Sequence, residues 1–209
     1  MRSTTARRHL AALTCLTLAS SMLMASTLTV QVSDAGGLPL PDVAVYAEAV
    51  GGAPATSVRG RAQIEQRARK FAPLVTVVQT GAEISFPNND SVRHHVYSFS
   101  APKTFDIKLY SGVPGSPIAF DKPGTVVIGC NIHDQMVAYI HIVNTPHFGK
   151  TDASGKLSIE GLAPGKYTLK AWHYDFPPGA AVVEQPLTMT AANGSAAFKL
   201  NVKPVIAAN

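Results

Sequence analysis

From residue 26 onward the chain is a succession of short apolar segments rich in Val, Ile, Tyr, Phe and Thr, separated by Gly, Pro, Asn and Asp. That rhythm predicts strands and turns, and an all-β fold. Residues 28–32 alternate apolar and polar before breaking at 34–37, and a second strand is expected over 43–49, after Pro39 and Pro41. Segments 74–78 and 84–86 flank a turn at Thr80-Gly81, and segments 125–128 and 137–143 bracket a polar loop. Segments 156–159 and 167–172 flank Pro164-Gly165, and a last strand is expected over 197–202. Residues 61–70 are open: Ile64 and Ala68 have helical spacing, whereas Ile64, Gln66 and Ala68 alternate like a strand. The region after residue 180 is Ala-rich and weakly patterned.

The start of the chain reads differently. Arg2, Arg7 and Arg8 precede an apolar run over 10–24 and small residues at Ala25 and Ser26, the form of a cleaved secretory signal over residues 1–25. Arg7-Arg8 is a common pairing, so the general secretory route is the expectation. The run is too short and too interrupted for a membrane span, and none is expected elsewhere. Removing the leader takes away three basic residues and leaves 15 basic against 13 acidic side chains, a net charge near +2. No Lys/Arg block then argues for nucleic acid. A periplasmic or secreted location follows, and roughly 180 residues suffice for one large or two small cores.

Export sharpens the cysteine arithmetic. Of the two cysteines, Cys15 falls in the leader, and Cys130 is left alone where thiols are oxidised. Such a thiol is buried and inert, paired between chains, or held by a metal. Its neighbours decide: Cys130, His133 and Met136 stand at C-x2-H-x2-M spacing in the loop between two strands. Taken singly, Met136 reads as a core residue and Cys130 as a buried thiol. Together they offer thiolate, imidazole and thioether, a soft set that copper prefers when a second histidine completes a His2Cys plane. Residues 86–96 offer that histidine, as His94 or His95, of which one must point inward.

These segments resemble the cupredoxins of the plastocyanin and amicyanin branch, in which an N-x5-H-x-V segment and a C-x2-H-x(2 to 4)-M loop carry one copper. The two-residue gap before Met136 is like the amicyanin loop, and aligning Asn88-Asn89 and Val96 puts the first ligand at His94. The resemblance covers about residues 64–143 and implies a Greek-key sandwich, a mononuclear type 1 (blue) copper site at His94, Cys130, His133 and Met136, and electron transfer with a transient protein partner through His133. Asp134 and Gln135 beside His133 make that docking more polar than in relatives. Two positions depart from the pattern. His95 replaces an Asn that ties the ligand loops together, a support that then falls to His95 or is lost. Gly129 replaces a larger, often aromatic, neighbour of the cysteine, so no electron route through that neighbour is expected. His141, His147 and His173 are isolated and are assigned no metal.

Around this segment lies a second pattern. Residues 151–169 place a D-x-x-G turn, inward-facing Leu157 and Ile159, a Pro164-Gly165 turn, then Tyr167 and Leu169. They are similar to the second half of the carboxypeptidase-regulatory-like, transthyretin-like sandwich, and residues 32–45 to its first half. The separation of the halves implies an insertion: a discontinuous transthyretin/Ig-like β-sandwich over 26–60 and 146–205, and a cupredoxin domain over 61–145. Such modules serve as stalks or docking surfaces, which leaves room for carbohydrate or protein docking, with Trp172 read as core rather than as a sugar platform. The F-P-N-x-D…H-H-V-Y-S-F and G-C-N-I-H-D-x-M blocks also resemble the methylamine-utilisation plastocyanin-like periplasmic proteins. Three functions remain: a blue-copper electron carrier, a copper chaperone or sensor, and a carbohydrate-binding β protein. No paired carboxylates, nucleophile–base pair or open metal site point to an enzyme.

Overall fold

The computed structural model describes residues 26–52, 60–177 and 179–202; the leader expected over residues 1–25 lies outside them. The described residues form strands and no helix. In chain order the strands are β1 (Ser26–Asp34), β2 (Ala44–Ala49), β3 (Arg61–Gln63), β4 (Glu65–Arg67), β5 (Lys70–Ala72), β6 (Val75–Gln79), β7 (Ala82–Ser85), β8 (His94–Ser100) and β9 (Lys103–Tyr110). They continue as β10 (Ile118–Phe120), β11 (Gly124–Gly129), β12 (Val137–Val143), β13 (Phe148–Lys150), β14 (Lys156–Leu162), β15 (Gly165–Trp172), β16 (Val183–Met189) and β17 (Gly194–Leu200). The all-β expectation therefore holds. No helix among the described residues is long and apolar enough to cross a membrane.

Two main cores organise these strands. The first lies between a sheet of order β14-β1-β17 and one of order β13-β2-β15-β16. Leu28, Val30 and Val32 alternate inward from β1 and meet Val45, Ala47, Ile159, Leu169, Phe198 and Leu200. Among the described strands β1 pairs with β14 and β17, and β2 with β13 and β15, so strands from the two ends of the chain share both sheets. At the D-x-x-G turn, Gly155 has φ of 71° and donates to the Asp152 carbonyl, while Asp152 Oδ1 accepts from the Ser154 and Lys156 amides. A Cβ on Gly155 would lie 2.3 Å from the Val32 carbonyl oxygen, so the turn can press on β1 only as glycine.

The second core fills the space between a five-stranded sheet, β6-β12-β11-β8-β9, and a three-stranded sheet, β10-β7-β3. Its chain crosses from one sheet to the other between β6 and β7, β7 and β8, β9 and β10, and β10 and β11, the Greek-key manner of closing a sandwich. Ile84, Phe86, Val96, Phe120, Val126, Ile128, Ala138 and Ile140 fill the core, and Cys130 and Met136 belong to the same cluster. Residues 61–72 resolve into β3 and the β4–β5 hairpin rather than a helix. Ile64 and Gln66 are wholly buried while Ala68, at the hairpin tip, is exposed.

The outer face of the five-stranded sheet is covered in turn. Along β12, Ala138, Ile140 and Ile142 face the second core while Tyr139 and His141 point the opposite way. There they meet Trp172 of β15: its ring stacks on His141 at 4.7 Å and 10°, and Ala44 and Val75 complete the contact. Trp172 is therefore a buried joint between the two sandwiches and no exposed sugar platform.

Candidate metal centre

Three neighbouring strands deliver the site to one end of the five-stranded sheet. β11 runs antiparallel to β12, with Gly129 opposite Val137, and to β8, with Gly129 opposite Tyr97. Cys130 follows the last residue of β11, Met136 precedes the first of β12, and His94 opens β8. Between Cys130 and Met136 the loop is tightened by the Met136 amide donating to the His133 carbonyl at 2.9 Å and the Val137 amide to that of Gln135 at 3.1 Å. The clamped loop leaves Asn131, Ile132, Asp134 and Gln135 exposed while Cys130 and Met136 are buried and His133 lies between.

The result is a compact group of donors. Cys130 Sγ lies 4.0 Å from Nδ1 of His94 and 4.0 Å from Nδ1 of His133, and the three ligating atoms fall within 4.8 Å of one another. The two imidazoles meet edge to face at 5.0 Å. His94 and Cys130 are buried, whereas His133 is half exposed. Met136 is wholly buried in the same core cluster as Cys130. Donors about 2.0–2.3 Å from a shared metal at 120° stand roughly 3.7 Å apart, so separations of 4.0 Å need only a slight contraction. Two imidazole nitrogens and one thiolate sulfur within reach of one another, with a buried thioether in the same core, form a set whose softness suits copper.

Of the paired histidines, His94 alone points into this group. Strand alternation sends His95 to the opposite face, where its Nε2 pairs with the Asp106 carboxylate, its ring packs on Tyr97, and its Nδ1 has no hydrogen-bond partner among the described residues. His95 therefore ties β8 to β9 and does not link the two ligand loops. The support comes instead from Asp90, whose Oδ2 lies 2.6 Å from Nε2 of His94. Asp90 itself accepts from the backbone amides of Ala68 at 2.6 Å and Arg69 at 2.9 Å. Burial pushes its carboxyl up, but the bonds from Arg69, His94 and Ala68 together hold it below the ordinary aspartate value.

Behind His94 the loop before β8 is laced in place. Asn88 donates to the carbonyls of Val92 at 2.9 Å and Tyr110 at 2.8 Å, and accepts from the Asp90 amide at 3.0 Å. Gln66 donates to the Phe86 carbonyl at 3.0 Å and contacts the Tyr110 hydroxyl, whose pKa burial pushes up to about 12. Beside the cysteine, Tyr97 from β8 occupies the space that a larger residue at position 129 would take: a Cβ on Gly129 would lie 3.2 Å from its Cζ and Oη. An aromatic ring thus lies against the backbone next to Cys130, contributed by the neighbouring strand, with exposed Phe99 packed beyond it at 5.3 Å.

Sequence reasoning missed Asp90, Tyr97 and the β4–β5 clamp. The F-P-N-x-D spacing could have signalled Asp90, four residues before His94; nothing local signalled the other two. His141 and His173 do not join the donor group. His141 Nδ1 lies 3.0 Å from the Thr125 hydroxyl, and His173 Nδ1 accepts from the Asp175 amide at 3.3 Å.

Several solved structures are similar to this chain. Among solved structures it is similar to a purple cupredoxin from Nitrosopumilus maritimus, at 21% identity over 39% of this chain and 99% of that one, with a TM-score of 0.35. It is similar to a copper-containing nitrite reductase from Thermus scotoductus SA-01, at 21% identity over 55% of this chain and 28% of that one, TM-score 0.38. A reduced amicyanin variant aligns at 15% identity over 41% of this chain and 85% of that one, TM-score 0.37. No family model and no curated protein matches the sequence.

Proposed function

We propose that this protein holds one copper ion through His94, Cys130, His133 and Met136 and serves as an exported electron carrier. The observation that carries the reading is the placement of Cys130 Sγ 4.0 Å from Nδ1 of each histidine, within a rigid core. Copper bound there supplies one-electron chemistry at a potential set by its ligands and their surroundings. The chain's own residues do the rest. Cys130 and His94 are fixed by packing and by Asp90, so the donor positions need not move when charge changes. Met136, wholly buried in the same core, adds the thioether donor. His133, half exposed, is the ligand that reaches the surface and offers a partner the shortest way in; Ile132, Asp134 and Gln135 around it are exposed and give that surface a mixed character.

The organisation of the chain belongs to this proposal. The copper-bearing sandwich over 61–145 is inserted into a discontinuous sandwich over 26–60 and 146–205, which acts as its base and as a docking surface. The likeness to the methylamine-utilisation plastocyanin-like proteins, with a periplasmic location and a redox partner, rests on the two sequence blocks that contain His94 and Cys130. A copper chaperone is the competing reading, because half-exposed His133 also gives an acceptor ligand access.

Redox cycling separates the two. A carrier loaded with one copper takes up and returns one electron repeatedly, its visible colour bleaching and recovering fully, with the metal retained through gel filtration in both states. A chaperone would surrender Cu(I) to a competing thiol ligand within the first cycle, which would contradict the carrier reading.

A further inference from the structure

We infer that Asp90 is a positioning residue for the metal centre: it holds the proton of His94 on Nε2, so that Nδ1 presents its lone pair toward Cys130 and His133. This rests on the copper reading above. An ionised carboxylate only accepts, so across 2.6 Å the imidazole nitrogen is the donor, and the other ring nitrogen is left as the one available to a metal.

Asp90 is itself held with unusual firmness. Ala68 and Arg69, at the tip of the β4–β5 hairpin, have φ of 51° and 55°, the left-handed conformation that non-glycine residues seldom adopt. That pair of dihedrals aims two consecutive amides at one carboxylate, and both bond to Asp90, one to each oxygen. Arg67 pairs with Lys70, so Ala68 and Arg69 form a two-residue type I′ hairpin turn, which calls for positive φ at both positions. The same turn that closes β4 onto β5 is thus where the hairpin touches the His94 support. The Asp90 amide is fixed as well, by Asn88 Oδ1 at 3.0 Å. The carboxylate thus has three partners, and the Asp90 side chain is only 13% exposed against a wholly buried His94.

A second consequence follows from charge. A fixed carboxylate on the far side of a ligating imidazole makes that imidazole a stronger donor and favours the more highly charged metal. Asp90 therefore lowers the reduction potential, stabilising Cu(II) relative to Cu(I).

The test uses the full chain, wild type and Asp90→Asn and Asp90→Ala. In metal-free wild type, long-range proton–nitrogen correlation spectra are expected to show His94 protonated on Nε2; a His94 proton on Nδ1 in the wild type would overturn the inference without any variant. With copper, both variants are expected to lose about 10–100-fold in Cu(II) affinity. Cu(I) affinity falls less, and each tenfold change in the ratio raises the potential by about 59 mV. An unchanged ratio of affinities, or the same His94 tautomer in Asp90→Ala, would overturn it. Failure of the wild type to bind copper at all would instead strike the copper reading, and the metal-free spectra would still decide what Asp90 does.

Discussion

At the scale of single residues, the chain neighbour of Cys130 is in close contact with Tyr97. Gly129 lets that ring lie against the backbone, so Gly129→Ala is expected to cost about 1–2 kcal/mol through a forced shift of Tyr97, read from urea denaturation. His141 gives a pH signature. It is surrounded by Thr125, Tyr46 and Trp172, and burial alone lowers its pKa from 6.5 to about 4; Lys170, Glu48 and Glu184 approach this cluster from the side of Tyr46. The unfolded chain takes up a proton near pH 6.5 that the folded protein refuses until about pH 4. Stability from this residue is thus complete above pH 6.5 and is lost as pH falls toward 4, by about 3 kcal/mol. His141→Gln, which keeps a polar group near Thr125, is expected to flatten that part of the stability profile; an unchanged slope between pH 6.5 and 4 would contradict the assignment.

At the scale of elements, the strands with strong alternation were legible in the sequence: 28–32, 137–143 and 167–172 each lie within observed strands. The loop holding Cys130, His133 and Met136 was legible because its ligands are close in sequence, and His94 was placed by register against Asn88 and Val96. The elements that the sequence does not reveal share a common cause. β9 is an edge strand with a mixed pattern, K-T-F-D-I-K-L-Y, in which no residue is fully buried. β4 and β5 are three residues each, too short for periodicity to register, and left-handed Ala68-Arg69 carries none of the Gly or Asn that advertise such turns. Ala68 is exposed, so a substitution there would ordinarily be near neutral. Because its φ is positive, Ala68→Val is expected to destabilise by about 1–2 kcal/mol, measurable by thermal melting, and to loosen the clasp on Asp90.

At the scale of the molecule, the two sandwiches meet through Trp172, His141, Tyr139, Val75 and Ala44. Trp172→Ala is expected to cost about 3–5 kcal/mol, seen in urea denaturation by far-UV circular dichroism, while leaving the metal site intact, because no donor touches that interface. The pairing of β1 and β2 with strands about 100 or more residues later explains why the flanking sandwich could be read only as two separated similarities. Neither half of the pattern forms a closed core alone. The proposed function rests on one site, and the decisive measurement is titration of the metal-free protein with Cu(II), followed by visible absorption. A copper held by Cys130 is expected to give an intense thiolate-to-copper band that saturates at one equivalent and is absent from folded Cys130→Ser. A wild-type protein that stays colourless, or a band that survives in Cys130→Ser, would contradict it.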